Sequence, residues 1–522
     1  MKDFDIFRNF ADAEEGDERT PEQVVDEVMN RDVSTSLKEV MEVVHMGAPD
    51  LDGADGIDED GEDSNLDEEA NLVYPTADET EAVYHAIERE ILSRMPEHKV
   101  QPSIERVQLA MNILGDPQNL YRSVHLTGTN GKTSTARMIS ALLRASGRKV
   151  GRFTSPHLTT MRERISVNDE PISQAQFVAA YEDVAPYIAM VDEHSKRNDG
   201  PAMSFFEVLT VMMLAAFADV PVDAAVVEVG MGGKWDATNV IDADVAVITP
   251  IAHDHEKWLG STLTEIATEK AGIIKPGSFV ISAKQEPEAL EVLRDRANEV
   301  GAVFRVVGAD LHLVSSKLGV GGQVVSIQTP AALYTDIFIP LFGKHQGENA
   351  VLALAAFEAF NGGREVEASI VEEGFKMATS PGRLEVVRTS PSIVVDAAHN
   401  PHGARALAQA LTESFDYTNL AAVYSAMADK NVEATLAELE PVVGDIVITS
   451  MDTPRAMDIE EIAQIARDVF GEDRVFVEPS LLDAVDRAVE RVELNPDPAG
   501  SNGVVVTGSV VLAGAARELI KH

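Results

Sequence analysis

Eight consecutive residues, Thr127-Gly128-Thr129-Asn130-Gly131-Lys132-Thr133-Ser134, have the chemistry of a phosphate-binding turn. A short apolar run, Val124–Thr127, enters them, and a helix pattern with Ile139, Leu142 and Leu143 on one face leaves them, ending near Gly147. Strand, glycine turn and helix N-terminus together aim backbone N–H groups at one point, where the helix dipole also favours an anion. Lys132 adds a positive charge for the outer phosphates of a nucleoside triphosphate, and Thr133 or Ser134 offers a hydroxyl to Mg2+. The common form of this loop carries a glycine at position 126, which here is Leu126, so the turn is a shorter variant.

Other chemistry-bearing residues stand at the ends of apolar runs. Asp223–Gly230 delivers Glu228 to a strand's C-terminal end, where open α/β sheets collect ligands. A carboxylate there is either the hard oxygen ligand that Mg2+ prefers or an ordinary solvated acid. Val245–Thr249 leads to His253-Asp254-His255, two histidines that read either as metal ligands or as structural side chains. Ser155, in Thr154-Ser155-Pro156-His157-Leu158, offers a further oxygen. Lys270, in the helix-like stretch Thr264–Gly272, reads from composition alone as a surface lysine. Later, Ile393–Val395 delivers Asp396 and then Ala397-Ala398-His399-Asn400. Pro381-Gly382-Arg383 supplies a base at a domain junction, and Val504–Thr507 ends in Gly508-Ser509. Acid, base and hydroxyl would thus face the phosphate turn across a cleft between domains.

The elements that must position these groups alternate along the chain. From about Ala82, helix candidates (Ala86–Met95, Ile104–Leu114) precede alternating apolar strands and amphipathic helices, the pattern of a parallel sheet covered on both faces. Strands are expected at Val124–Thr127, Ala225–Val229, Val245–Thr249 and Phe279–Ser282, with a small antiparallel excursion over Val303–Pro340. Helices at Glu348–Phe360 and Ala368–Met377 precede a linker, Thr379–Gly382. A second series follows, with strands at Ile393–Val395, Ala421–Tyr424, Asp445–Thr449, Val475–Val477 and Val504–Thr507. The expected architecture is α/β: a P-loop-type parallel sheet domain over 81–378, then a smaller Rossmann-like α/β domain over 381–522. Residues 1–80 carry 5 Lys+Arg and 26 Asp+Glu, and Asp50–Glu69 alone holds eleven carboxylates and no base. Such a stretch buries too little apolar surface to offset chain entropy and is expected to be a largely disordered extension, with short helices opening at Thr20 and Ser36.

Composition narrows the function classes. The chain has 522 residues and a formal net charge of −44, a field that repels nucleic-acid backbones. It has no cysteine, which excludes disulfides, thiol nucleophiles and Cys-ligated zinc. The longest apolar run, Val211–Ala218, is stopped by Asp219, far short of a bilayer span. No basic-then-apolar signal opens the chain, so a cytoplasmic location is expected.

Taken together, the motifs resemble the folylpolyglutamate synthase/dihydrofolate synthase family, within the Mur-type ATP-dependent amide ligases. The stretches that carry the resemblance run in order from about Ala82 to the C-terminus. They are Leu114-Gly115-Asp116-Pro117-Gln118, Gly128–Ser134, Thr154–Leu158, Arg162-Glu163-Arg164-Ile165, Phe206-Glu207, Val227–Gly230 and Asp236-Ala237-Thr238-Asn239. Asp254-His255, Glu269-Lys270-Ala271-Gly272, Gly343-Lys344-His345-Gln346, Asn349, Pro381-Gly382-Arg383, Asp396–Asn400 and Thr507-Gly508-Ser509 complete them. Thr133 stands where the family often has a small residue, and His253 stands where a leucine usually precedes the Asp-His pair, which leaves His253 without a family role.

The resemblance implies roles residue by residue. Gly128, Thr129, Asn130, Gly131, Lys132, Thr133 and Ser134, with Asn349, Arg383 and Asp396, would hold ATP, the cosubstrate. Ser155, Glu228 and His255 would bind one or two Mg2+, with room for a monovalent cation. Lys270 would carry a carbamate and act with Lys132 and His399 in catalysis. Ser155, Pro156, His157, Arg164 and Asp236 would meet the pterin-bearing substrate, and His399 and Ser509 the incoming glutamate. The implied reaction joins L-glutamate to dihydropteroate and to the glutamate tail of reduced folates through an acyl phosphate. The implied protein is a bifunctional monomer whose partners are small molecules, with no nucleic acid or membrane. One alternative is a Mur-type ligase that adds an amino acid to a UDP-linked cell-wall precursor; another, of a different class, is a nucleotide-regulated binding module that uses the acidic arm.

Overall fold

The computed structural model describes residues 77–96, 102–494 and 501–521. The expectations for residues 1–76, the acidic arm and its helices at Thr20 and Ser36, lie outside the described residues. Two large sheets dominate. The first has eight strands: β1 (Arg122–Thr127), β2 (Val150–Phe153), β3 (Ile165–Val167), β4 (Glu170–Pro171), β5 (Ala224–Glu228), β6 (Val245–Ile248), β7 (Phe279–Ser282) and β8 (Val303–Val306). They lie in the order β4-β3-β2-β5-β1-β6-β7-β8. All pairings are parallel except those of β3 with β2 and with β4.

The five residues of β5 are all buried because helices cover both faces. Ala224 and Val226 pack with Leu126, Val247 and the helices Lys132–Ala145 and Lys344–Phe360. Ala225 and Val227 turn the other way, onto the Gln174–Arg197 and Phe205–Asp219 helices. This two-residue alternation inside an unbroken apolar run fixes which groups emerge at the strand ends. A three-stranded antiparallel sheet, β9 (His312–Gly319), β10 (Gly322–Gln328) and β11 (Leu333–Ile339), packs Val325, Ile327 and Ile337 against the same core as the Lys344–Phe360 helix.

The second large sheet has six strands: β12 (Glu385–Thr389), β13 (Ser392–Val395), β14 (Asn419–Tyr424), β15 (Asp445–Ile448), β16 (Val475–Val477) and β17 (Asn502–Thr507). Their order is β12-β13-β17-β14-β15-β16, and only β12 is antiparallel to its neighbour. Strands β5, β1 and β6 are adjacent in the first sheet, and β13, β17 and β14 in the second.

Several boundaries differ from the sequence expectation: the helix expected from Glu348 begins at Lys344, and three others bear on the layout of the domains. Val303–Val306 is not part of the antiparallel excursion: β8 extends the large sheet parallel to β7. The first described helix runs over Ala77–Ser93, starting nine residues before the expected Ala86 and entering the span assigned to the extension. Its opening turns lack a continuous apolar stripe, and Asp78 and Glu79 favour its N-terminus through the dipole. The second domain opens on β12, an edge strand whose residues are at most half-buried and therefore carry little apolar pattern. No helix among the described residues is long and apolar enough to cross a membrane.

Candidate active site

The C-terminal edges of β1, β5 and β6 meet those of β13, β17 and β14 across one cleft of about 450 Å³. Its lining includes Gly128–Ser134, Ser155, Pro156, His157, Arg164, Glu228, Asp236, His255 and Lys270 from the first domain side. Asn349, Arg383, Asp396, His399 and Ser509 line it from the helix after β11 and from the second domain. Every residue to which the motif resemblance gives a role therefore reaches the same space, and His253, which it leaves without one, does not.

The phosphate turn is held from behind. Thr129 donates its N–H to Pro250 O (2.9 Å) and its hydroxyl to Ala252 O (3.0 Å), which ties the turn to the loop after β6. Gly128 adopts φ 144°, and a Cβ there would collide with the Thr249 hydroxyl. Gly131, at φ 88°, opens the Lys132–Ala145 helix with the Asn349 amide against it, so a side chain at 131 would strike Asn349. Lys132 Nζ donates to the carbonyls of Gly128 and Thr129, both at 3.2 Å. Burial pushes its pKa down, against the pull of Glu228 and Asp254.

Lys270 is not the surface lysine that its composition suggests: it is 3% exposed, and its Nζ donates to Gly128 O at 2.8 Å. The Leu263–Lys270 helix ends under the phosphate turn, a tertiary placement that no local pattern reveals. Burial, helped by Lys132, lowers its pKa to about 7. Glu228 is 1% exposed. Its two oxygens accept from the Thr133 hydroxyl at 3.0 Å each, and one accepts from the Ser155 N–H at 3.4 Å. Burial raises its pKa, and Lys132 opposes the rise. Burial also pushes the Asp254 carboxyl up, but His255 and Lys430 outweigh it and hold it below the usual range. His255 is lowered to about 4 by burial, against Asp254. His253 does not line the cleft; its Nδ1 lies 2.9 Å from exposed Glu256.

The second domain contributes braced loops. Asp396 accepts from the N–H groups of Leu384 and Ala398, both at 2.8 Å, and burial raises its pKa against the nearby Arg383. The His399 Nδ1 lies 3.0 Å from Ala397 O; burial, then Lys430, lowers this imidazole to about 4. Ser509 is 2% exposed, and its hydroxyl accepts from the Val511 N–H at 3.2 Å. On the first domain side, Arg164 donates Nε to His157 Nδ1 (2.9 Å) and stacks on Phe205. Asp236 is 3% exposed and accepts from the Met231 N–H and from the N–H and hydroxyl of Thr238.

Residues 126–357 match the Mur ligase middle domain, and residues 382–510 the glutamate ligase domain of Mur ligases. The chain is 47% identical to dihydrofolate synthase/folylpolyglutamate synthase of Mycobacterium tuberculosis over 469 residues, 86% of this chain and 96% of that protein. The chain belongs to the dihydrofolate synthase/folylpolyglutamate synthase family. Solved structures agree: the M. tuberculosis folylpolyglutamate synthase complexed with ADP matches with a TM-score of 0.82 over 85% of this chain and 99% of that one, at 47% identity. An Escherichia coli member in complex with DHPP and ADP matches with a TM-score of 0.72 at 29% identity, over 83% of this chain and 97% of that one.

For this family member the donor set fits Mg2+. The Glu228 carboxylate and the Thr133 hydroxyl are hydrogen-bonded to each other, so two hard oxygen donors stand side by side at the phosphate turn, and the Ser155 N–H donates to the same carboxylate. Among the described residues no cluster of three or more His, Asp or Glu side chains forms a cage by itself. Sequence reasoning missed Lys430, Met427 and Arg455, which line the cleft beyond β14. The signal was available: Ala421–Tyr424 is an apolar strand, and the strand-end logic used for Asp396 points equally to Lys430.

Proposed function

We propose that the cleft is a ligase active site that joins L-glutamate to the carboxylate of dihydropteroate and to the glutamate tail of reduced folates, with ATP as the cosubstrate and Mg2+ as its ion. The observation that carries this reading is the convergence of phosphate turn, buried carboxylate, buried lysine and second-domain loops on one space. A carboxylate is a poor acyl donor because its leaving group would be oxide. Its oxygen therefore attacks the γ-phosphorus of ATP, the β–γ bridging bond breaks, and ADP leaves. The glutamate amine then attacks the acyl carbon through a tetrahedral intermediate, loses a proton and expels inorganic phosphate.

Positioning and charge neutralisation do most of the work in such a transfer. The backbone of Gly128–Ser134, the helix start and Lys132 hold the triphosphate, and Asn349 and Arg383 reach it from the far side. Bound between Glu228, Thr133, Ser155 and His255, Mg2+ would neutralise charge that grows on the phosphates. Lys270 has the depressed pKa that leaves a neutral amine near pH 7, the form that captures CO2 as a carbamate. His399 and Ser509 present the glutamate, and the closed domains keep water from the acyl phosphate.

The test is purified protein with ATP, Mg2+, glutamate and either dihydropteroate, tetrahydrofolate or a UDP-linked cell-wall precursor, with products resolved by mass. A glutamate adduct on either pterin substrate is the expected result. An adduct on the cell-wall precursor alone would replace this reading with that of the Mur-type relatives.

A further inference from the structure

A set of side-chain contacts joins the two domains, and of its members only Asn130 belongs to the phosphate turn used in the chemistry above. Asp254, in the loop after β6, is 12% exposed and lies against the second domain. Its Oδ1 accepts from Lys430 Nζ at 3.0 Å, and its Oδ2 from Asn400 Nδ2 at 3.2 Å. Lys430 follows β14 and is itself only 10% exposed; Asn400 follows β13 and caps the Pro401–Ser414 helix. Asn400 also exchanges reciprocal amide hydrogen bonds with Asn130 of the phosphate turn, at 3.2 and 3.3 Å.

We propose that Asp254, Lys430, Asn400 and Asn130 form a clasp that holds the second domain closed over the phosphate turn, with Asp254 the positioning residue that couples closure to acyl transfer. The inference rests on the ligase reading. Closing the domains takes both charges out of water, a cost that is offset only where the two meet at hydrogen-bond distance, so the pair favours one closed placement over any closed placement that misaligns it. The neutral amide pair beside it is short-ranged and directional, so the four groups engage only in one relative placement of the domains. That placement brings the second-domain loops against the phosphate turn, where the acyl phosphate must be shielded from water. A role confined to stability predicts a lower melting temperature and nothing else. A clasp predicts futile turnover, with the acyl phosphate hydrolysed before the amine arrives.

Asp254→Asn and Lys430→Met, separately and combined, test this through kcat, the KM for glutamate and the ADP released per amide bond formed. Each single change should lower kcat at least about tenfold and raise ADP per amide about threefold, and the double variant should be no worse than the worse single, because either change opens the clasp. Lys430→Arg, which keeps the charge, should recover most of the coupling. Losses that multiply in the double variant, or an unchanged ADP-to-amide ratio at reduced kcat, would overturn the proposal. Lys430→Gln replaces Lys430→Met should the latter fail to fold. Small-angle scattering of the full chain with ADP needs no folate: the clasp predicts a larger radius of gyration for the Lys430 variant than for wild type, and equal radii refute it. A wild type that ligates no folate substrate would sink the ligase reading while leaving the scattering result to decide the clasp.

Discussion

In the first domain the groups beyond β1, β5 and β6 meet as buried charges, whereas in the second the groups beyond β13, β17 and β14 meet mostly as hydrogen-bonded loops. Lys132 acts on both Lys270 and Glu228, and burial shifts the pKa of each of the three in favour of its neutral form. Across the cleft, Asp396 spends its oxygens on the Leu384 and Ala398 amides, and Ser509 its hydroxyl on Val511. The first half is therefore preorganised to stabilise charge. The second half is a rigid presenter whose contribution depends on where its domain sits. Mutations in the first half should remove chemistry, and mutations in the second should mainly weaken presentation of substrate.

The sharpest break is Lys132→Ala. With the cation gone from the centre of the phosphate turn, ligation should fall by more than about a thousandfold, while circular dichroism and melting temperature stay close to wild type. Retained turnover would remove the turn from the mechanism and erase the contrast between the halves. Lys270→Ala should be comparably inactive, and short carboxylic acids should restore part of the activity by supplying the missing carboxylate; wild-type-like rates without added acid would end its role.

Lys270 also carries a pH signature. Its folded pKa of about 7 lies below the ordinary lysine value of about 10.4. Between the two, the unfolded chain holds a proton that the folded chain lacks, so this residue makes stability rise with pH across that window. In bicarbonate-free buffer the melting temperature of wild type should gain on that of Lys270→Ala from pH 7 to pH 10. A constant difference would mean that the amine is not held neutral by its burial.

A smaller effect is expected across the cleft. Ser509→Ala removes the hydroxyl of a cleft-lining residue that we propose presents glutamate and that braces its own helix start. The KM for glutamate should rise about tenfold with kcat within a factor of about three, the pattern of lost uniform binding. A fall in kcat alone would place Ser509 in the chemical step and blur the distinction between the halves.

How much of this was legible follows the same division. The phosphate turn announces itself because strand, glycines, lysine and helix are contiguous, and Glu228 and Asp396 because each ends an unbroken apolar run. Lys270 was opaque to composition: its burial arises from a helix end packing beneath Gly128, a contact between residues 142 positions apart. The motif resemblance supplied what the local pattern withheld. Val303–Val306 was misplaced because four apolar-rich residues announce a strand but carry nothing that says which of two sheets it joins. The pairing of Asp254 with Lys430 was beyond reach, since it depends on how two domains close and on no pattern within either.

The smallest expected effect lies outside both halves and calibrates them. Glu358, on the Lys344–Phe360 helix, is 4% exposed and does not line the cleft. It accepts from the Thr329 hydroxyl at 2.8 Å and the Tyr334 hydroxyl at 2.7 Å, pinning the antiparallel sheet to that helix. Burial raises its pKa, and the two hydroxyls oppose the rise. Between the unfolded and the higher folded pKa the folded chain keeps a proton that the unfolded chain releases, so this residue makes stability fall as pH rises through that window. Glu358→Gln removes the titration and retains an oxygen for both hydroxyls. Its stability should lie within about 1 kcal/mol of wild type and gain on wild type as pH rises from about 4 to 8, as read by denaturant unfolding. Ligation should stay within a factor of about two. Parallel stability curves would show that this carboxyl ionises as freely in the fold as in water. A loss of ligation would extend the active site's support into the antiparallel sheet and end the clean separation between charge-holding core and presenting loops.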